Sequence, residues 1–97
     1  MLDSKQRAQL KAIASKTESI FQIGKGGITE NLVKQLDDVI RVRELIKITV
    51  LDNSDCDIKE TAREIAEKIG ADVVQTIGRK IVLYRENPEK PVISNEL

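Results

Sequence analysis

The sequence predicts a single α/β domain in which three helices pack on one mixed four-stranded sheet. Its 97 residues are the usual size of one domain. Apolar residues recur with helical spacing in some segments and with strand spacing in others, in the order αβαβαββ. Aromatic residues make up only 2% of the chain, so the core must be built from Ile, Val, Leu and Ala. That composition suits a compact core but not a deep ligand cavity.

Amphipathic segments with capping residues predict the helices. The expected ranges are 4–15, 29–42 and 57–70. The expected N-caps are Ser4, Thr29 and Asp57. Glu60 completes a capping box with Asp57, and Gly70 ends the third helix.

Segments rich in β-branched residues predict the strands. The expected ranges are 19–23, 45–51, 73–77 and 80–85. In 45–51, apolar residues alternate with Lys47 and Thr49, so the two faces differ in polarity. Gly78-Arg79 joins the last two strands, and a glycine at the first turn position suits a type II′ hairpin. Strand–helix–strand connections imply parallel pairing, and the hairpin adds an antiparallel pair.

The domain is expected to span residues 1–86. Residues 87–97 form a polar segment with Pro88 and Pro91 and are predicted to be a flexible tail.

No apolar run has the length of a membrane span, and the N-terminus is too polar for a signal peptide. Cys56 is the single cysteine and has no partner for an intramolecular disulfide. We therefore expect a cytoplasmic protein with no membrane partner.

The charges balance overall but are unevenly distributed. Sixteen Lys and Arg residues match sixteen Asp and Glu residues. Residues 1–50 hold nine basic and six acidic residues, whereas residues 51–97 hold seven and ten. The asymmetry favours one face for an anionic partner, although so small an imbalance is also ordinary scatter.

A glycine-rich loop, Gly24-Lys25-Gly26-Gly27, lies between the first strand and the second helix. Glycines remove the Cβ atoms that would hold a ligand's backbone at a distance. The helix capped by Thr29 offers unpaired N–H groups and a partial positive charge, and Lys25 adds a full charge. The spacing is neither a P-loop nor a dinucleotide fingerprint, but a G-x-x-G loop before a helix is one way of clamping single-stranded RNA. The alternative is a turn that only leads from strand to helix.

Further basic residues could extend this RNA-binding surface. The candidates are Lys5, Arg7, Lys11, Lys47, Arg79 and Arg85. At about 100° per residue, Lys5 falls on one flank of the first helix, and Arg7 and Lys11 fall on the other. Each phosphate contact would release condensed counterions. A solvated surface charge is the alternative at every one of these positions.

Catalysis has little support in the sequence. The chain has no histidine and one cysteine, so the residues needed for a nucleophile–base pair or a zinc site are scarce. Asp37 and Asp38 are adjacent on a helix and diverge by about 100°, which disfavours a shared metal. We predict no catalytic residue, cofactor, metal or small-molecule substrate.

Five segments occur in one order along the chain. They are Leu2-Asp3-Ser4-Lys5-Gln6-Arg7, Ile23-Gly24-Lys25-Gly26-Gly27-Ile28-Thr29, Glu44-Leu45-Ile46-Lys47, Val74-Gln75-Thr76-Ile77-Gly78 and Val82-Leu83-Tyr84-Arg85. With them the chain, over about residues 2–85, resembles the CRM domain (chloroplast RNA splicing and ribosome maturation) in its stand-alone bacterial, YhbY-like form.

The resemblance implies RNA binding, association with precursors of the large ribosomal subunit, and a fold like the C-terminal domain of translation initiation factor three. It implies RNA contact by the 24–27 loop and, less directly, by Lys5 and Arg7. Many members carry histidines where this chain has Ser15 and Arg43. No role of those histidines carries over, whereas Arg43 remains able to meet a phosphate.

A second function stays open beside ribosomal RNA binding. The chain could be a protein-interaction module that docks on a ribosomal protein or assembly factor through the acidic surface of the third helix. That surface carries Glu60, Glu64 and Glu67.

Overall fold

The structure is a computed structural model that describes residues 2–24, 26–51, 57–94 and 97. Its elements are α1 (Ser4–Ala14), β1 (Phe21–Ile23), α2 (Glu30–Arg43), β2 (Leu45–Val50), α3 (Ile58–Ile69), β3 (Asp72–Ile77) and β4 (Lys80–Tyr84). The predicted order, with three helices on one mixed four-stranded sheet, is confirmed. Element bounds differ from prediction by one or two residues at several ends. No helix in these described ranges has the length and apolar character needed to cross a membrane.

Two of the three predicted N-caps are found in the structure. Thr29 and Asp57 cap α2 and α3 through their side chains, and Gly70 ends α3 in the left-handed conformation. The prediction that Ser4 caps α1 is wrong, because Asp3 holds that position. The Asp3 carboxylate accepts the N–H of Gln6 at 2.8 Å, and Gln6 Oε1 accepts the N–H of Asp3 at 3.2 Å. The glutamine three residues after Asp3 therefore decides the cap.

The strand order is β1-β2-β4-β3. β1 and β2 pair in parallel, as expected for strands joined through a helix. β4 pairs antiparallel with both β2 and β3. β2 and β3 therefore run in the same direction but do not pair, because the hairpin brings β4 between them. The carboxyl ends of β1 and β2 and the β3–β4 turn all lie at the same end of the sheet, so several connections meet there.

Each face of the sheet has its own apolar cluster. On one face, isoleucines of β2 and β4 pack against Leu36 and Ile40 of α2 and Ile65 of α3. On the opposite face, Leu10 and Ala14 of α1 pack with side chains of β2, β3 and β4. The alternation in β2 explains this division, since Ile46, Ile48 and Val50 point to the α2/α3 face.

The C-terminal segment, expected to be a flexible tail, is anchored to the domain in the structure. Glu44 is fully buried, and its carboxylate accepts backbone N–H groups of residues 87, 92, 93 and 94 at 2.6 to 3.0 Å. The Ser94 hydroxyl adds a further hydrogen bond at 2.8 Å. Ile93 and Leu97 also pack on the α1 cluster. A buried carboxylate requires such donors, and the segment supplies them.

Candidate nucleic-acid interface

The 24–27 loop is an open turn at the carboxyl end of β1. The Gly27 N–H donates to the Gly24 carbonyl at 3.0 Å, which closes the turn. Gly27 has φ +67°, a conformation that favours glycine, and a methyl group placed on Gly26 or Gly27 would meet no atom within 4 Å. Gly26 is exposed and Gly27 is half-buried. Lys25 lies outside the described residues. The described part of the loop therefore presents bare backbone to solvent.

The N-terminus of α2 follows this loop directly. The Thr29 hydroxyl accepts the Leu32 N–H at 3.1 Å, and Val33 N–H donates to the Thr29 carbonyl. Helix geometry gives Glu30 and Asn31 N–H no carbonyl partner within the helix. Glu30, however, places an exposed carboxylate in this first turn. That charge already complements the helix dipole, so the loop backbone is better suited to a phosphate than the helix end is.

Arg79 lies in the β3–β4 turn, at the same end of the sheet as the loop. Its Nε donates to the Val50 carbonyl at 2.8 Å, and its guanidinium also donates to the Leu51 carbonyl. The Leu51 side chain approaches Gly24, at 3.5 Å from the position of a Cβ there, and the Leu51 N–H donates to the Ile23 carbonyl. Arg79 thus places a positive charge next to the loop while fixing the end of β2.

Three other predicted RNA contacts have structural partners. Lys47 Nζ donates to the Ala14 carbonyl at 3.1 Å and the Thr17 carbonyl at 3.4 Å, at the end of α1. The Arg7 guanidinium donates to the carbonyls of residues 73 and 74 on the outer strand β3, at 2.6 and 2.9 Å. Arg85 pairs with Asp37 at 2.7 Å and donates to the Ile69 carbonyl at 2.6 Å. These three cations hold elements together, and none of the three adjoins the loop.

The remaining predicted contacts on α1 separate onto two flanks, as helix geometry requires. Lys5 and Lys11 are both exposed. Lys11 shares a flank with Arg7, which reaches the edge of β3. Lys5 lies on the other flank. Its neighbour Gln6 lines a cavity with Tyr84 and Ser94, at the end of the sheet where the C-terminal segment packs. The structure therefore does not join Lys5 and the loop into one surface.

A shallow cleft of about 310 Å³ lies on the other side of the loop, between α2 and α3. It is lined by Ile28, Thr29, Glu30, Val33 and Lys68.

Elsewhere, Asp37 pairs with Arg85 and Asp38 with Arg41, so the two adjacent carboxylates diverge. Among the described residues, no group of three or more acidic, thiol or imidazole side chains could hold a metal ion. Cys56 lies outside the described residues.

Comparison with known proteins identifies the family. Residues 2–85 match the CRS1 / YhbY (CRM) domain. The chain belongs to this family. The CRM domain is 41% identical over 93 residues to "Probable RNA-binding protein YqeI" of Bacillus subtilis (strain 168), covering 96% of this chain and 97% of that protein. It is 32% identical over 92 residues to a protein of Haemophilus influenzae (strain ATCC 51907 / DSM 11121 / KW20 / Rd) named "RNA-binding protein", covering 94% and 92%.

A solved structure shows the same fold. The CRM domain superposes on the solution structure of the hypothetical protein SAV1595 from Staphylococcus aureus with a TM-score of 0.76 and 50% sequence identity. The match covers 89% of this chain and 90% of that one. The resemblance inferred from the sequence is thus confirmed at the level of family and fold. Ser15 and Arg43, which stand where many CRM domains have histidines, are both exposed.

Glu44 is a structural residue of this CRM domain whose role was not predicted from the sequence. It has φ +66°, which is unusual for a residue other than glycine, and links α2 to β2. Burial alone would raise the pKa of its carboxyl, but hydrogen bonds from Asn87, Ser94 and Val92 outweigh burial and lower the pKa to about 2. Burial and the nearby Glu44 charge raise the pKa of Tyr84. The sequence signal for this role was a carboxylate placed between a helix and an apolar strand.

Proposed function

We propose that this CRM domain binds RNA in the cytoplasm through the backbone of the 24–27 loop and the charges of Lys25 and Arg79. The open glycine backbone at the end of β1 carries the proposal, since phosphate oxygens can approach the backbone at Gly26, where even an added Cβ would meet no atom within 4 Å, whereas the Gly27 N–H already donates within the turn. The names of its relatives, as RNA-binding proteins, support the same ligand. A non-enzymatic role is part of the proposal.

The RNA we propose is ribosomal, in precursors of the large subunit, as the family resemblance implied. A net charge of zero gives little non-specific attraction to polyanions. Modest affinity for arbitrary RNA is therefore compatible with a role in which a large ribonucleoprotein particle supplies further contacts.

Substitution of Lys25 tests the loop. Lys25→Ala removes one phosphate contact, so RNA affinity should fall about three- to tenfold and the slope of log K against log salt should become shallower by about 0.7 to 1. Fluorescence anisotropy with labelled RNA at several salt concentrations measures both. Lys90→Ala is the matched control, because Lys90 is an exposed lysine of the tail segment at the opposite end of the molecule. Equal binding by Lys25→Ala and the control would contradict the proposal.

Sedimentation separates the ribosomal role from protein docking. A tagged chain in a cell lysate should co-sediment with large-subunit precursors, and complete RNA digestion should release it. Crosslinking followed by sequencing of the bound RNA would then identify the site. Association that survives digestion would instead favour docking through the exposed acidic side chains of α3, Glu60, Glu64 and Glu67.

A further inference from the structure

Next to the loop, one row of side chains crosses the whole sheet on the face that α1 occupies. The strand register places four residues side by side, one on each strand: Gln22, Thr49, Lys80 and Ile77. Residues directly opposite on neighbouring strands point to the same face. Lys47, two residues before Thr49, reaches the end of α1 from this same face. The row therefore lies on the α1 side.

α1 covers this face only further down the strands. Leu10 and Ala14 of α1 pack on Val82 and Tyr84, which are buried. The row lies two residues further along the strands towards the loop, past the part of the face that α1 covers. Gln22 and Lys80 are exposed, and Ile77 is 60% exposed.

The row adjoins the loop and is suited to nucleobases. Gln22 precedes Gly24 by two residues, or about 7 Å of extended chain. Thr49 is fixed at the centre of the row by a 2.6 Å hydrogen bond with Ser19. Gln22 offers amide groups of the kind that read base edges, Ile77 offers an apolar contact, and Lys80 supplies a positive charge. None of the four is acidic.

We propose that this row contacts the bases of a single RNA strand whose phosphates lie on the 24–27 loop. The inference rests on the proposed function and specifies the ligand as unpaired RNA. Three strand spacings span about 14 Å, or about four stacked nucleotides at ~3.4 Å each. The bases of a duplex are paired and stacked, with their edges recessed in the grooves, so a flat row of side chains reaches them only in a single strand.

Uncharged substitutions test base contact separately from phosphate contact. The double variant Gln22→Ala/Ile77→Ala should weaken binding to labelled homopolymeric RNAs of about ten nucleotides by about three- to tenfold. The loss should differ among oligo(U), oligo(A) and oligo(C), while the salt slope stays at the wild-type value because no charge is removed. Gln35→Ala/Val42→Ala is the matched control, since it removes a glutamine and an exposed apolar side chain from exposed positions of α2. Thermal unfolding of both variants confirms that they are folded.

An NMR titration of the isotopically labelled chain with the same RNAs locates the strand. The inference expects shifted backbone amides at Gly26 and Gly27 together with Gln22, Lys80 and Ile77. Shifts at the loop and in the α2/α3 cleft with none along the row, or equal affinity for an RNA duplex, would overturn the inference and leave the proposed function standing. No shift at the loop with any of these RNAs would overturn both.

Discussion

Glu44 combines three features that rarely coincide in one residue: a carboxylate, full burial and a positive φ of 66°. Such a conformation costs about 1 kcal/mol or more outside glycine and persists only where surrounding contacts impose it. Here five hydrogen bonds from residues 87 to 94 converge on the carboxylate. The residue therefore joins three parts of the chain: the end of α2, the start of β2 and the C-terminal segment.

Substitution of Glu44 by Gln should destabilise the domain strongly. The amide NH₂ would face N–H or O–H donors that now meet an oxygen, leaving buried donors unsatisfied. We expect a loss of about 2–4 kcal/mol in the free energy of unfolding, measured by urea denaturation. Glu64→Gln, at an exposed position of α3, is the control and should change stability by less than about 0.5 kcal/mol. Similar losses in the two variants would contradict this account.

The lowered pKa of Glu44 also predicts how stability depends on pH. The pKa falls from 4.5 to about 2 on folding, so the charged form stabilises the folded state. That stability is fully present above pH 4.5 and is lost as the pH falls towards 2. At about 1.4 kcal/mol per pKa unit, the contribution is about 3 kcal/mol. Urea denaturation between pH 6 and pH 2 should give a flatter profile for Glu44→Gln than for the wild type, and parallel profiles would count against it.

At the scale of elements, the basic side chains fall into two groups: those that attach α1 to the sheet, and Arg79 next to the 24–27 loop. Lys47 and Arg7 both attach α1 to the sheet, one at the end of the helix and the other at the edge of β3. Arg7 also occupies carbonyls of an outer strand that would otherwise be open to pairing with another chain. Arg79 alone of the three is next to the 24–27 loop, where its charge adds to the proposed phosphate site while its hydrogen bonds hold β2.

Lys47→Met separates a structural cation from an RNA contact. Methionine keeps the apolar stem but removes the donor to the carbonyls at the end of α1, so stability should fall by about 1–2 kcal/mol, or roughly 5–10 °C in Tm. RNA affinity and its salt dependence should stay at wild-type values, since the Lys47 amine is engaged with the Ala14 and Thr17 carbonyls. Lys25→Ala should show the reverse behaviour in the same assays. A large loss of affinity in Lys47→Met at unchanged stability would restore Lys47 to the binding surface.

At the scale of the whole molecule, the chain's periodicity and caps sufficed to predict the element order and the mixed sheet. The glycines located the loop, and the family motifs added its expected contact with RNA. The partners of Lys47, Arg7 and Arg85 were not predictable, because they are backbone carbonyls and an aspartate that lie far away in sequence. A basic residue at a polar strand or helix position looks solvated until the packed element is known. The row from Gln22 to Ile77 depends on strand register and was missed for the same reason.

The anchored C-terminal segment and the proposed RNA site lie at opposite ends of the sheet. Glu44 and the C-terminal segment lie at the start of β2, and the 24–27 loop lies beside its end, about 17 Å away along the strand. A chain that stops after Glu86 should therefore lose stability without losing RNA affinity per folded molecule. Circular dichroism with urea and anisotropy with labelled RNA measure the two quantities.

A double-mutant cycle connects this truncation to its cause. If residues 87–94 stabilise the domain mainly by donating to Glu44, removing them should cost much less in the Glu44→Gln background than in the wild type, with a coupling of about 1–3 kcal/mol. The reason is that the substitution already breaks the contacts that the truncation would remove. Additive losses would instead show that the segment acts through Ile93 and Leu97, which pack on the α1 cluster.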